Sequence, residues 1–315
     1  MPNSTENETL ISEIAGRLKA GEVPLRGGEQ ADWTREAQSL IEAADPQDPT
    51  RTLEQLVRYR LAGVPLGYLT CLETFLGDRY AVEPGVVVPH PATELLALLA
   101  MQAVDLHAPD GAPLSMLDVG TGVGNVSIAV LKRRPAVQSH ASDLSGASVR
   151  LAGLNAQRLL DDPSRLYLYQ AYQTDDVVGP FEARPVRGVS VVVSNPPYLV
   201  EGDEVSDATK RSGVAHFSYS PDNDPSWFLR CLVDAPAGML NDDCSVLMEC
   251  ADWYLPDHEM VMNQAGWEVE VFDREHYLST FAADPAMQSM TPTSHRVMHA
   301  WRGNRGALGG FGVDD

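Results

Sequence analysis

Met116-Leu117-Asp118-Val119-Gly120-Thr121-Gly122-Val123-Gly124-Asn125 is a short apolar run into glycines at alternate positions, followed by the helix-like Val126-Ser127-Ile128-Ala129-Val130-Leu131. Glycine permits positive φ and lets a ligand approach the backbone closely. Strand, glycine turn and helix in this order form the nucleotide-binding opening of a doubly wound α/β unit. Tight turns use glycine without any ligand, so the turn alone is a weak signal. A carboxylate strengthens it: Asp143 follows the next expected strand, Ser139 to Ser142, where it can accept hydrogen bonds from both hydroxyls of a ribose. The spacing is G-T-G-x-G rather than G-x-G-x-x-G, and no Lys-Ser/Thr pair follows. An adenosine ligand without a pyrophosphate fits that pattern better.

Outward from this turn, strands and helices alternate. Helices are expected at Thr93 to Val104, Ser145 to Leu160 and Trp227 to Leu240; strands at Leu114 to Val119, Leu166 to Tyr169, Val189 to Ser194 and Ser245 to Cys250. Strands near Trp267 to Phe272 and Arg296 to Trp301 complete the edge, the last pair antiparallel. Such alternation implies an α/β fold, a doubly wound, mainly parallel sheet covered on both faces. Before it, Leu10, Ile11, Ile14 and Leu18, and then Leu53, Leu56, Val57 and Leu61, fall on helical faces. Asp45-Pro46-Gln47-Asp48-Pro49-Thr50 separates the two stretches, with Thr50 or a nearby Asp as the cap. The expected organisation is a helical domain over 1–75, a linker over 76–93, a catalytic domain over 94–302 and a flexible, glycine-rich tail over 303–315. The helical domain either guides a macromolecular substrate or caps the core.

A second motif ends the strand Val191-Val192-Val193-Ser194: Asn195-Pro196-Pro197-Tyr198. The prolines cannot continue a ladder, so the Asn side chain is held at the strand's end. An Asn beside freed carbonyls and an aromatic ring makes an acceptor-rich, flat-walled slot suited to a planar NH2 group. Read alone, the same residues also describe a strand ending in a polyproline turn.

Together, Asp118 to Gly124, Asp143 and Asn195-Pro196-Pro197-Tyr198 resemble the class I S-adenosylmethionine-dependent methyltransferases, which have a Rossmann-like fold, and specifically their amino-methylating branch. Gly63-Val64-Pro65-Leu66-Gly67-Tyr68-Leu69, Phe75, Gly77 and Val82 to Leu96 extend the likeness to the HemK/PrmC family, glutamine N5-methyltransferases of peptide release factors. The resemblance spans about Leu53 to Trp267. It implies S-adenosylmethionine bound by Asp118, Gly120, Thr121, Gly122, Gly124, Asp143, Tyr172, Gln173 and Asn195, with Asn195, Pro196, Pro197 and Tyr198 gripping the target amide. His90, Thr93 and Glu94 are the matching substrate-side candidates.

The chain departs from the family at several points. His90 stands where the family has Arg, and Ala92 where it has a carboxylate. Tyr172 occupies the region where the family places an Asp against the adenine amino group. The family's glycine-rich substrate loop is replaced by His216-Phe217-Ser218-Tyr219-Ser220-Pro221-Asp222-Asn223-Asp224-Pro225. Three functions therefore compete: a protein-glutamine methyltransferase, a diverged methyltransferase of a small metabolite, and a cofactor-binding module without catalysis.

Bulk properties narrow the class. With 315 residues, 44% of them hydrophobic, the chain can build one substantial domain and a smaller one. No apolar run approaches the roughly 18 residues needed to span a bilayer, and the acidic, polar Met1 to Glu8 does not read as an export signal. A cytoplasmic enzyme without membrane contact is expected. Cys71, Cys231, Cys244 and Cys250 lack C-x-x-C spacing, so neither a metal site nor a disulfide framework is expected, only buried thiols. A formal net charge of −21 opposes nucleic-acid binding, whose affinity comes largely from Lys and Arg neutralising phosphates. His295 and His299 lie four apart in an expected strand without a zinc protease's helical pattern, and read as surface or core residues. No nucleophile elbow is present.

Overall fold

The computed structural model describes residues 4–23, 32–171, 186–205, 210, 213–273, 275–276, 279, 295–304 and 306–310. Three helices come first: α1 (Ser4–Ala20), α2 (Trp33–Ala43) and α3 (Leu53–Leu61). Ile14 and Leu18 of α1, Ala37 and Leu40 of α2 and Leu56 and Val57 of α3 close a small core, as their spacing predicts. Arg60 grips Glu36 through two contacts of 2.7 and 3.1 Å, tying α3 to α2. The cap of α3 is Thr52, which accepts from the Gln55 amide. Thr50, expected there, is occupied by Asp48, whose Oδ1 receives both its amide and its hydroxyl.

A short helix α4 (Leu66–Thr70) leads into an antiparallel hairpin, β1 (Leu72–Phe75) and β2 (Asp78–Ala81). The hairpin straddles the boundary expected at residue 75 and joins the helices to the main body. Tyr80 and Phe75, both 0% exposed, pack edge to face in the main core.

The main body holds α5 (Thr93–His107), β3 (Leu114–Val119), α6 (Asn125–Arg133), β4 (Val137–Asp143), α7 (Gly146–Leu159), β5 (Leu166–Gln170), β6 (Val189–Ser194), α8 (Trp227–Val233), β7 (Leu240–Ala251), α9 (Leu255–Gln264), β8 (Glu268–Phe272) and β9 (His295–Arg302). The sheet runs β5-β4-β3-β6-β7-β9-β8; β5 through β7 are parallel, and β9 enters antiparallel between β7 and β8. Successive strand residues face opposite sides. Val191 and Val193 therefore enter the core under α5 and α6, while Val192 joins the one under α8 and α9. This is the doubly wound, mainly parallel α/β sheet expected, with the helical unit at its amino-terminal side.

Three details correct the sequence reading. Helix α8 stops at Val233 rather than Leu240, because Pro236 follows and cannot continue it. The tail is partly docked: the amides of Leu308, Gly309 and Gly310 donate to the Glu270 carboxylate, so residues 303–315 are not uniformly a free tail. Among the cysteines, Cys244 and Cys250 are buried but Cys71 is exposed, on a residue with φ of 59°.

Candidate active site

Strands β3 and β6 are neighbours, yet the chain leaves β3 toward β4 on one side and returns to β6 on the other. Ligands bind outside the carboxyl ends of strands at such a switch point. The ends of the two strands are stitched by Ser194 Oγ donating to the Val119 carbonyl at 2.7 Å. Here the glycine turn and Asn195-Pro196-Pro197-Tyr198 meet.

Gly120, Gly122 and Gly124 all have positive φ, 74°, 57° and 83°. The Gly120 and Thr121 amides both donate to the Ser142 carbonyl at 2.9 Å, and Gly124 starts α6. A Cβ at Gly122 meets no atom within 4 Å, so the turn presents an open backbone face. A Cβ at Gly120 meets only the Asn195 carbonyl, at 3.9 Å, which sets the two motifs side by side.

Two carboxylates serve this turn differently. Asp118 is buried, and its Oδ2 accepts from Thr121 Oγ1 at 2.8 Å and Ser127 Oγ at 2.6 Å. It braces the turn from inside, with Thr121 as its partner. Burial pushes its carboxyl up to about 6, although both hydroxyls favour the ionised form. Asp143 ends β4 and is partly exposed; its oxygens accept from the Gly122 and Ser145 amides, each at 2.8 Å. Burial raises its carboxyl too, against these amide hydrogen bonds.

Asn195 is exposed, and its Nδ2 donates to Thr93 Oγ1 at 3.3 Å. Pro196 is buried behind it. Tyr198 is half-buried, with its hydroxyl 3.4 Å from His295 Nδ1. Burial, with the Glu249 charge adding, pushes the Tyr198 phenol far above its ordinary range, so it stays neutral. His90 stacks on His295 with ring centroids 5.3 Å apart. Glu94 points elsewhere: it is buried, and Oε1 accepts the Leu76 amide at 2.7 Å, anchoring the hairpin. Tyr172 and Gln173 lie outside the described residues.

Two residues at this site were not among the sequence candidates. Glu249 is buried near the carboxyl end of β7, and its Oε1 lies 3.1 Å from His295 Nδ1 at the start of β9. An acid inside Val246-Leu247-Met248-Glu249-Cys250 was the available signal, since a buried charge needs a partner. His299, by contrast, is a core residue, 2.8 Å from Glu270 and 2.9 Å from Ser245 Oγ.

Residues 96–213 match the family model described as methyltransferase small domain, a span containing the glycine turn, Asp143 and Asn195 to Tyr198. The release factor glutamine methyltransferase of Bordetella pertussis is 35% identical over 52% of this chain and 57% of its own length. That of Burkholderia pseudomallei is 33% identical over 54% of this chain and 58% of its own. The chain thus spans somewhat over half the length of these relatives. The Rhodopirellula baltica protein of the same name is 26% identical over 78% of this chain and 80% of its own length. A methyltransferase structure from Pyrococcus furiosus superposes with a TM-score of 0.48 at 13% identity, covering 79% of this chain and 96% of that one.

Proposed function

We propose that the chain is a diverged member of the HemK/PrmC family and that it transfers the methyl group of S-adenosylmethionine to an amide nitrogen, the glutamine side chain of a release-factor-like protein. One observation carries this reading. The exposed Asn195 side chain stands at the end of β6 against an open glycine turn, with its amide nitrogen engaged by Thr93 and its oxygen left to accept among the described residues.

The residues present fit the cofactor. The open face over Gly122 leaves room for it, and Asp143 keeps lone pairs for ribose hydroxyls beyond the two amides it already receives. When bound, S-adenosylmethionine supplies an electrophilic sulfonium methyl group. The protein's task is to hold the acceptor nitrogen in line and exclude water. An amide nitrogen is a poor nucleophile because its lone pair is delocalised. Asn195 Oδ1 and the Pro196 carbonyl accept its two N–H bonds, which fixes the nitrogen and stabilises positive charge developing there. Neutral Tyr198 supplies a flat wall against the planar group. No general base is needed before transfer.

Among the described residues no helix is long and apolar enough to cross a membrane. Action on a release-factor-like protein makes this a cytoplasmic enzyme, with the helical unit α1 to α3 guiding the protein acceptor. The test is incubation with methyl-labelled cofactor and either release factor or a metabolite fraction. Label on a glutamine of the protein supports the proposal; label confined to the metabolite fraction replaces it with the small-metabolite reading.

A further inference from the structure

The chain that leaves Tyr198 is gripped residue by residue. The Leu199 amide donates to the Ser218 carbonyl at 3.0 Å and the Leu199 carbonyl accepts the Ser220 amide at 2.7 Å, so Leu199 pairs with Tyr219 as a parallel bridge. Two residues on, the Glu201 amide donates to Asn223 Oδ1 at 2.5 Å. These partners lie in His216 to Pro225, the stretch that departs from the family's glycine-rich loop. The stretch is itself tied down: Ser220 Oγ donates to the Asp224 carbonyl at 2.6 Å, and the Asp224 carboxylate accepts from the Ser226 amide and Arg230 Nε at 3.0 and 2.8 Å, at the start of α8.

Asp203 joins this grip to another element. Its Oδ2 accepts the Val200 amide at 2.8 Å and the Tyr254 hydroxyl at 2.5 Å, and its carbonyl accepts the Tyr219 hydroxyl at 3.2 Å. A carboxylate oxygen has two lone pairs, so one atom serves a backbone amide and a phenol together. Tyr254 is buried just beyond the carboxyl end of β7, whereas Tyr219 is exposed. Asp203 thus ties together the turn after Tyr198, the loop carrying Tyr219 and the turn after β7. The loop adopts an unfavourable backbone to complete the arrangement: Asp222 and Asn223 have φ of 55° and 57°, in the left-handed region that Asp and Asn tolerate better than most side chains. Such strain persists only where the surroundings fix it, and it collects at binding and catalytic sites. Here it accompanies the bond from Asn223 Oδ1 to the turn after Tyr198.

We propose that Asp203 is a positioning residue for the methyl acceptor: it holds the turn after Tyr198, the 215–224 loop and the turn after β7 as one preformed rim, which fixes the Tyr198 wall against which the acceptor packs. This rests on the amide-transfer reading above. A preformed rim spares the acceptor the loss of affinity that comes with ordering a loop on binding. The rim follows β6 and β7, whereas the glycine turn and Asp143, which would hold the cofactor, end β3 and β4. Loosening the rim therefore bears on the acceptor and leaves the cofactor in place.

The experiment compares Asp203→Ala, Asp203→Asn and Tyr254→Phe in the full chain, reading KM for release factor, cofactor affinity by calorimetry and amide hydrogen exchange by NMR. Asp203→Ala removes the shared acceptor oxygen; KM for release factor should rise, and the Leu199 and Ser220 amides should exchange faster, each by on the order of tenfold, with cofactor affinity and the exchange of Val191 to Val193 unchanged. Asn keeps a side-chain oxygen at this place, so Asp203→Asn should recover most of the acceptor affinity and the protection. Tyr254→Phe keeps the ring and should move both readouts in the direction of Asp203→Ala; combined with it, the change should add nothing further, because the two act through one bond. Should Asp203→Ala fail to fold, Tyr254→Phe judges the tie by the same readouts. If the unmodified chain labels no release factor, the amide-transfer reading fails while the exchange rates still judge the rim. An unchanged KM or unaltered Leu199 and Ser220 exchange in Asp203→Ala, an equal loss of cofactor affinity, or Asp203→Asn as impaired as Asp203→Ala overturns the positioning role.

Discussion

The Gly122 amide donates to Asp143 Oδ2 at 2.8 Å, so the turn after β3 and the acid ending β4 form one unit. The other oxygen of the same carboxylate receives the Ser145 amide at the start of α7. Asp143 thus organises the backbone face of the turn, and the proposed function makes it the acceptor of the ribose hydroxyls. Asp143→Ala should weaken cofactor binding by at least tenfold, since each hydrogen bond to a charged acceptor contributes roughly 1.5–3 kcal/mol. It should also lower the melting temperature, because two amides lose their acceptor. Calorimetry and thermal unfolding separate the effects, and normal cofactor affinity would falsify the ribose assignment.

Two glycines of the turn should respond in opposite ways. A Cβ at Gly124 lies 3.0 Å from Ile128 Cδ1 and 3.1 Å from Ala152 Cβ, so Gly124→Ala should chiefly destabilise the fold. A Cβ at Gly122 meets nothing within 4 Å, and its cost to the fold is the positive φ, about 1 kcal/mol. Gly122→Ala should therefore lose cofactor affinity out of proportion to stability. The same melting and calorimetric measurements on both variants check the contrast.

Asn195→Ala should divide binding from chemistry. The side chain is exposed and, among the described residues, bonds only Thr93, so cofactor affinity should be nearly unchanged. Loss of a hydrogen bond that strengthens in the transition state should lower kcat by on the order of a hundredfold. A variant turning over at the normal rate would return Asn195 to the role of strand terminator.

Asp118 gives a stability dependence with a definite sign. Its carboxyl is raised from 3.8 to about 6 in the folded chain, so between those values the folded state binds more protons than the unfolded one. Its contribution to stability therefore declines as pH rises from about 4 to about 6, by roughly 3 kcal/mol in all. Asp118→Asn removes the titration, so its stability relative to the unmodified chain should improve across that window. Denaturant unfolding of both at several pH values tests this; a difference independent of pH rules it out.

The docked tail should matter to stability. Glu270 receives the amides of Leu308, Gly309 and Gly310 at 2.5, 3.1 and 2.6 Å. Truncation after Gly303 leaves that carboxylate with His299 as its remaining partner in this cluster. A loss on the order of 1–3 kcal/mol is expected, read as a lower denaturant midpoint.

What was legible in the sequence was local. β3 and β6 have the expected bounds because an apolar run meets a glycine in one case and Asn195-Pro196 in the other. Helix α7 begins one residue after Ser145, which caps it through the Ser148 amide, and hydrophobic spacing alone outlined the amino-terminal core. The glycine turn, Asp143 and Asn195 were identifiable because each stands at a strand end, where backbone rules restrict which residue types can serve. Such signals depend on neighbours a few residues away, and a single chain segment contains them entirely.

Tertiary structure decided the rest. The hairpin at Leu72–Ala81 has strands of four residues, too short to establish a periodicity, and exists because Phe75 and Tyr80 find the main core. β9 inserts between β7 and β8 rather than following β8 at the edge, a choice made by pairing between distant segments. Sequence alone dictated the alternating α/β architecture and the residues at its strand ends. Only folding brought Thr93 to Asn195, 102 positions away, and set Glu249 beside His295, because side-chain direction depends on partners delivered by other strands.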